Sequence, residues 1–214
     1  MSESMASPSR RREATRQKLL DAAAQVFAEV GLDAASVEEV CERAGFTRGA
    51  FYSNFDSKDE LFLELAARVS LSRVEVVRAR VRELECDGSL TATPANALLI
   101  IEQVLDTTAS DRLAVLLMSE IRINALRNPA LATAYLAQES ELLESVTQIV
   151  DDIAAAKTLA FTLPARDAAR VMLTAWESAS VRAVMAGLSQ AQMREAVSTE
   201  LAIAAHLVIQ SPQN

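Results

Sequence analysis

The chain has 214 residues, of which 50% are hydrophobic and 23% charged, so it can bury a sizeable core, or two small ones, and is not disordered over most of its length. Its formal net charge of -8 argues against a general polyanion binder, and any DNA-reading role has to come from where its cations sit. No apolar run approaches the roughly 18 residues of a membrane span and the N-terminus lacks a signal-peptide core, which predicts a soluble, cytoplasmic chain with no membrane partner.

Residues 1–9 are Ser-rich and without periodicity, and read as a disordered arm. Leu19, Ala23, Val26, Phe27 and Val30 then recur at helical spacing until Gly31, which supplies a left-handed stop. Ser36 with Glu39 three residues on forms a capping box for a helix whose apolar stripe is Val37, Val40, Cys41 and Ala44, closed by Gly45. Thr47 can cap a third helix reaching about Phe55, with Phe46 tucked into the core. Ser57 and Glu60 form a second expected capping box, opening a long fourth helix to about Leu84. Beyond the break at Asp87-Gly88-Ser89, longer helices follow from Pro94 to about Thr108, Asp111 to Leu126, Asn128 to Lys157, Pro164 to Gly187 and Ser189 to Gln210. No strand alternation appears. The expected fold is therefore all-α, with about nine helices: a helix-turn-helix domain over residues 10–56, a connecting helix over 57–86, and a larger helical bundle over 87–214.

The chemistry concentrates between Ser36 and Leu61. Two short helices meeting at Ala44-Gly45-Phe46-Thr47 have the form of a helix-turn-helix, although any two packed helices can share such a turn. The next helix is poor by propensity, with Gly49 in its first turn. Phe51 and Phe55 stand four apart and can bury together, which leaves Arg48, Gly49, Tyr52 and Asn54 outward with Ser53 beside them. Hydroxyls, an amide and an arginine are groups that meet phosphates and base edges, and Gly49 lets the backbone approach another surface. Lys58 lies in the first turn of the fourth helix, where a cation opposes the macrodipole; a phosphate partner or plain solvation would account for it. Upstream, Arg10, Arg11, Arg12, Arg16 and Lys18 form the densest basic cluster, either a solvated tail or an arm that follows phosphates or enters the minor groove.

The run Ala44-Gly45-Phe46-Thr47-Arg48-Gly49-Ala50-Phe51-Tyr52, followed by Phe55-Asp56-Ser57-Lys58-Asp59-Glu60-Leu61, resembles the signature of the TetR family of bacterial repressors, and the resemblance extends from about Arg16 to Leu65. It implies a homodimer that places its third helix in the major groove of a palindromic operator. Carried over position by position, it implies phosphate contacts for Ser36, Thr47, Tyr52 and Lys58, and base contacts for Arg48, Ala50 and Asn54. Asn54 stands where that family often has histidine, and Cys41 where it commonly has alanine.

The same resemblance assigns an effector pocket and the dimer surface to the C-terminal half. Ala168, Ala175, Ala179 and Ala183 form one small-residue face, and Ala196, Ile203, Ala204, Leu207 and Val208 another; both could instead pack within one chain. Met118, Arg122, Tyr135, Phe161, Met172, Trp176 and Met185 are large or adaptable groups that could line one cavity for a small hydrophobic molecule, with Glu177 and Arg122 orienting a polar group, or could be ordinary core. The proposed mechanism is a repressor released when effector binding moves the two recognition helices apart. Activation by the same fold, or a helical interaction module without DNA binding, are the alternatives.

Catalysis is not expected. Gly45-Phe46-Thr47-Arg48-Gly49 superficially resembles a nucleophile elbow, but it has no strand before it and no histidine base nearby, since His206 lies in the last helix. No phosphate-binding loop, dinucleotide fingerprint or zinc-protease motif is present, and Cys41 and Cys86 have no metal-ligand spacing. No metal or cofactor is predicted, and the two cysteines read as packing positions or, less simply, a redox pair.

Overall fold

The computed structural model describes residues 8–86, 112–155 and 160–209. Among them lie the helices α1 (Pro8–Val30), α2 (Val37–Ala44), α3 (Arg48–Tyr52), α4 (Lys58–Cys86), α5 (Arg112–Ala125), α6 (Pro129–Ala155), α7 (Ala165–Met185) and α8 (Gln190–Val208). An isolated antiparallel bridge joins Phe161 to Ile209. The chain is all-α, as its periodicity predicts; the helix expected from Pro94 to Thr108 lies outside the described residues. Two compact units divide it: Met1–Val69 with Leu116–Ala132, and Ser70–Val115 with Thr133–Asn214. Helices α4, α5 and α6 each contribute residues to both.

In the first unit, Leu19, Leu20, Ala23, Val26 and Phe27 of α1 are buried along one stripe, with Val40 and Cys41 of α2, Phe51 of α3, and Phe55, Leu61 and Phe62. Phe27 meets Phe62 edge to face with centroids 5.5 Å apart, and Phe51 lies 5.8 Å from Phe55. Burial pushes the Cys41 thiol upward, which suits a small packing residue better than a reactive one. Several residues expected inside depart from expectation, Val37 and Ala44 at the two ends of α2 being half-buried. Val30 is about half exposed because α1 has reached its last turn there, and Phe46 is half-buried because the turn carries it to the edge of the core.

The caps set the angles between these short helices. Ser36 and Glu39 form the full capping box: the Ser36 hydroxyl accepts from the Glu39 N–H at 3.2 Å, and the Glu39 carboxylate accepts from the Ser36 N–H at 2.8 Å. Gly45 closes α2 at φ 72°, with its N–H bonded to the Glu42 carbonyl and the Phe46 N–H bonded to the Cys41 carbonyl at 2.9 Å. The turn between α1 and α2 is held from outside itself. Glu120 of α5 accepts the Leu32 N–H at 2.7 Å, while Lys58 Nζ donates to the carbonyls of Leu32 and Ala35 at 2.6 and 2.8 Å.

In the second unit, α6, α7 and α8 share a core that includes Val146, Val150, Ile153, Met172, Trp176 and Leu201. Ser189 and Gln192 make the predicted capping box at α8, and the Asn128 side chain accepts from the N–H groups of Ala130 and Leu131 to start α6. The Thr162 N–H donates to the Val208 carbonyl at 2.8 Å, which ties the segment before α7 to the end of α8.

A Cβ at Gly45 would meet nothing within 4 Å, so its φ of 72° is the whole obstacle to a side chain there. Gly45→Ala is expected to lower unfolding free energy by about 1–2 kcal/mol, read from urea titration. An unchanged midpoint would mean that the turn reaches the same geometry without a left-handed residue.

Candidate nucleic-acid interface

Helix α3 is five residues long, and its burial is one-sided. Phe51 is fully buried, whereas Arg48, Gly49, Tyr52 and Ser53 are exposed and Ala50 is half-buried. Thr47 holds the start: it is extended, and its hydroxyl accepts from the Ala50 N–H at 3.3 Å. A Cβ at Gly49 would meet only the Thr47 hydroxyl, at 3.7 Å, so packing within the chain does not demand glycine at that position. Arg48 Nη1 pairs with Glu38 of α2 at 2.6 Å, and its guanidinium carbon lies 5.8 Å from the Tyr52 ring centroid. The hydrogen bond to Tyr52, and then the Glu38 charge, hold this guanidinium more firmly protonated than an isolated one.

Asn54 does not share this outward face. Helix α3 ends at Tyr52 rather than near Phe55, and the following turn folds the Asn54 amide back so that Nδ2 donates to the Ala50 carbonyl at 2.8 Å. The residue is only 8% exposed, and its Oδ1 is buried without a hydrogen-bond partner. The base-reading position expected of it corresponds here to an internal brace.

The basic cluster also differs from a free arm. The described residues from Pro8 onward are helical, and Arg10, Arg11 and Arg12 stand exposed on the first turns of α1. Arg12 donates to the Ser53 carbonyl at 3.1 Å. Arg16 is half-buried, pairs with Glu64, donates to the Asn54 carbonyl, and lies 4.3 Å over the Phe55 ring. Two arginines of α1 thus satisfy the carbonyls just past α3, where cationic donors complement the helix end. Lys58 is spent similarly: it is half-buried on two carbonyls of the α1–α2 turn, a use neither of its sequence-based explanations anticipated. The hydroxyls of Ser36 and Thr47 serve as caps. Glu64 and Glu120 were not predicted at all. Their partners lie 48 and 88 residues away, beyond any local periodicity.

The residues proposed for pocket and dimer scatter. Met118 and Arg122 belong to the first unit, and Tyr135, Phe161, Met172, Trp176, Glu177 and Met185 to the second. Met172 is fully buried core, Phe161 packs against that core, and Met185 is 82% exposed. Trp176 and Glu177 do come together, in a recess of about 280 Å³ with Glu139, Leu143, Arg170 and Leu173. Of the small-residue faces, Ala168, Ala179, Ala183, Ala204 and Val208 are buried within the single chain, where the close approach of α7 and α8 uses them. What remains at the surface is Ile203 and Leu207, 55% and 70% exposed, beside half-buried Ala175 and Ala196.

A capped turn between two helices, followed by a short helix with an aromatic inner face and a polar outer one, defines a helix-turn-helix DNA-binding protein. Residues 19–65 match the model for bacterial regulatory proteins of the tetR family. The HTH-type transcriptional regulator AcrR of Shigella flexneri is 32% identical over 162 residues, covering 74% of this chain and 73% of that protein. The nicotine-responsive transcriptional repressor HdnoR of Paenarthrobacter nicotinovorans is 29% identical, covering 78% and 82%. A TetR transcription regulator from Haloarcula marismortui superimposes with a TM-score of 0.74 at 15% identity, over 92% of this chain and all (100%) of that one, a likeness of fold. The chain belongs to the TetR family and is a DNA-binding transcriptional regulator. Its relatives are regulators rather than enzymes, and no described helix is long and apolar enough to cross a membrane.

The Ser36 N–H and then its hydroxyl hold the Glu39 carboxyl below the ordinary carboxylate range. A group depressed in the folded state contributes stability above its unfolded pKa and loses it as pH falls through the folded value. Glu39→Gln keeps the acceptor of the capping box without its titration. Its thermal midpoint is therefore expected to fall less than the wild type's on acidification, and superimposable acid profiles would remove Glu39 from the account.

Proposed function

We propose that the chain acts in the cytoplasm as a homodimeric repressor that places α3 of each copy in the major groove of a palindromic operator and lets go when a small molecule binds the second unit. The observation that carries the DNA half is the division of α3, with Phe51 sealed inside while Arg48, Gly49 and Tyr52 stand outside around a short backbone. Arg48 is the base reader in this proposal, and Tyr52, Ser53, Thr47 and Ser36 supply hydroxyls to phosphates, with Ala50 close to the bases. Arg10 and Arg11 add charge along the backbone; Arg12 and Arg16 act indirectly, by holding the end of α3. The acidic total of -8 is consistent with this, because the cations that matter are local.

Repression and effector control are supported by the nicotine-responsive repressor among the relatives. The recess beside Trp176 and Glu177 is the candidate contact for a small molecule with an apolar body and a polar group. Dimerisation is supported by Ile203 and Leu207, large apolar side chains that α8 leaves at the surface next to Ala175. Two recognition helices must stand about 34–36 Å apart to enter successive major grooves, so a ligand that prefers another spacing reduces affinity.

Selection from random duplex with the full chain is expected to enrich a palindrome. Arg48→Ala should then cost about 1–3 kcal/mol at particular base pairs, whereas a phosphate contact would weaken all sequences alike; a chain that enriches nothing overturns the operator reading. Leu207→Glu is expected to convert the dimer to monomer in sedimentation equilibrium and to abolish palindrome binding while leaving helix content intact. A dimer that survives the charge would move the interface elsewhere.

A further inference from the structure

We infer that Glu38 determines the stringency of base reading: its carboxylate fixes the direction of the Arg48 guanidinium and repels phosphate wherever that guanidinium finds no base to bind. The inference rests on the operator-binding reading above. It starts from the ion pair between Arg48 Nη1 and Glu38 Oε1, 2.6 Å long, which joins the two helices of the motif on their open side.

Stability does not explain this pair. The two side chains are 61% and 56% exposed, and an ion pair in that setting adds little to folding. Arg48 occupies the first position of α3, where a cation opposes the helix dipole, so the helix itself gains nothing from an arginine there. Glu38 does suit the first turn of α2, where an acid complements the helix dipole, but Glu39 already serves there in the capping box and the packing of α2 rests on buried Val40 and Cys41, so neither requires Glu38 to face Arg48. The arginine's placement makes sense for something outside the chain, and the glutamate is what the chain sets against it.

Two physical consequences follow. Arg48 is restrained from two sides, by the Glu38 carboxylate and by the Tyr52 ring 5.8 Å away. A guanidinium restrained before binding loses less freedom when it meets a matching pair of acceptors, and guanine O6 and N7 are the matching pair in the major groove. On the operator-binding reading the exposed carboxylate, paired with Arg48, then lies on the surface that approaches the duplex. It cancels the attraction Arg48 would otherwise exert on any phosphate, which is a repulsive element against wrong sequences. Removing the charge therefore strengthens indifferent binding and weakens discrimination together.

The test uses the full chain and the sequence enriched by the wild type, with a scrambled duplex of the same length, each titrated at two salt concentrations. Glu38→Gln is expected to bind the scrambled duplex more tightly, most visibly at low salt, and to lose about tenfold in discrimination at the base pairs that Arg48→Ala also affects. In the Arg48→Ala background the same substitution should leave discrimination unchanged, because the pair acts as a unit. Glu38→Asp separates the two effects: it keeps the charge but shortens the reach, so scrambled binding should stay near wild type while discrimination falls. Wild-type thermal midpoints for all four variants exclude misfolding as the cause. The inference is overturned if Glu38→Gln discriminates as the wild type does, or loses discrimination equally with and without Arg48. A wild-type chain that enriches no sequence removes the operator reading itself, and the inference with it.

Discussion

A helix of five residues cannot hold its shape in water, since a nucleus that short fixes several dihedrals for very few hydrogen bonds. Helix α3 exists because Phe51 is sealed in the core of the first unit and because Thr47 and two arginines of α1 satisfy backbone groups at its ends. The polar face proposed to meet DNA is thus a by-product of aromatic burial: once Phe51 and Phe55 point inward, Arg48, Gly49 and Tyr52 have only the outside left. The DNA contacts proposed for this chain depend on that one-sided burial.

The turn between α1 and α2 is the second constraint, and it is held by groups that arrive from elsewhere. Glu120 of α5 takes the Leu32 N–H, Lys58 of α4 takes the carbonyls of Leu32 and Ala35, and Arg127 lies 3.5 Å from Asp33. Ser36, which caps α2, follows directly. Because α4 and α5 also contribute residues to the second unit, the two helices that fix this turn are continuous with the part of the chain proposed to bind effector. A backbone turn pinned by a carboxylate and an ammonium has few alternative positions.

Basic residues in this region have partners inside the chain that their charge alone does not reveal. Arg12, Arg16 and Lys58 look like phosphate ligands when counted along the chain, yet each donates to backbone carbonyls within the first unit. The reason is geometric: helix ends and turns present unsatisfied carbonyls, and a long cationic side chain on a neighbouring helix is the nearest donor. Arg48 differs because its partner, Glu38, is itself exposed at the surface. In the second unit the same lesson holds for alanines. Ala168, Ala179 and Ala183 let α7 approach its own neighbours, so they are unavailable to another copy, while Ile203 and Leu207 stay at the surface.

The residues alone determined the helical class, the capping boxes at Ser36 and Ser189, the left-handed turn at Gly45 and the family to which the N-terminal third belongs. All are local: a cap, a turn or a 3.6-residue stripe is complete within a few positions, and a run such as Ala44 to Tyr52 is a continuous string. What the tertiary structure decided is which polar groups remain outside. Asn54 sits in the predicted recognition helix but turns inward because α3 ends two residues earlier, at Tyr52. Glu64, Glu120 and Arg16 acquire their roles from partners dozens of residues away, and pairing across such separations is set by how helices pack, a quantity no short window of sequence contains.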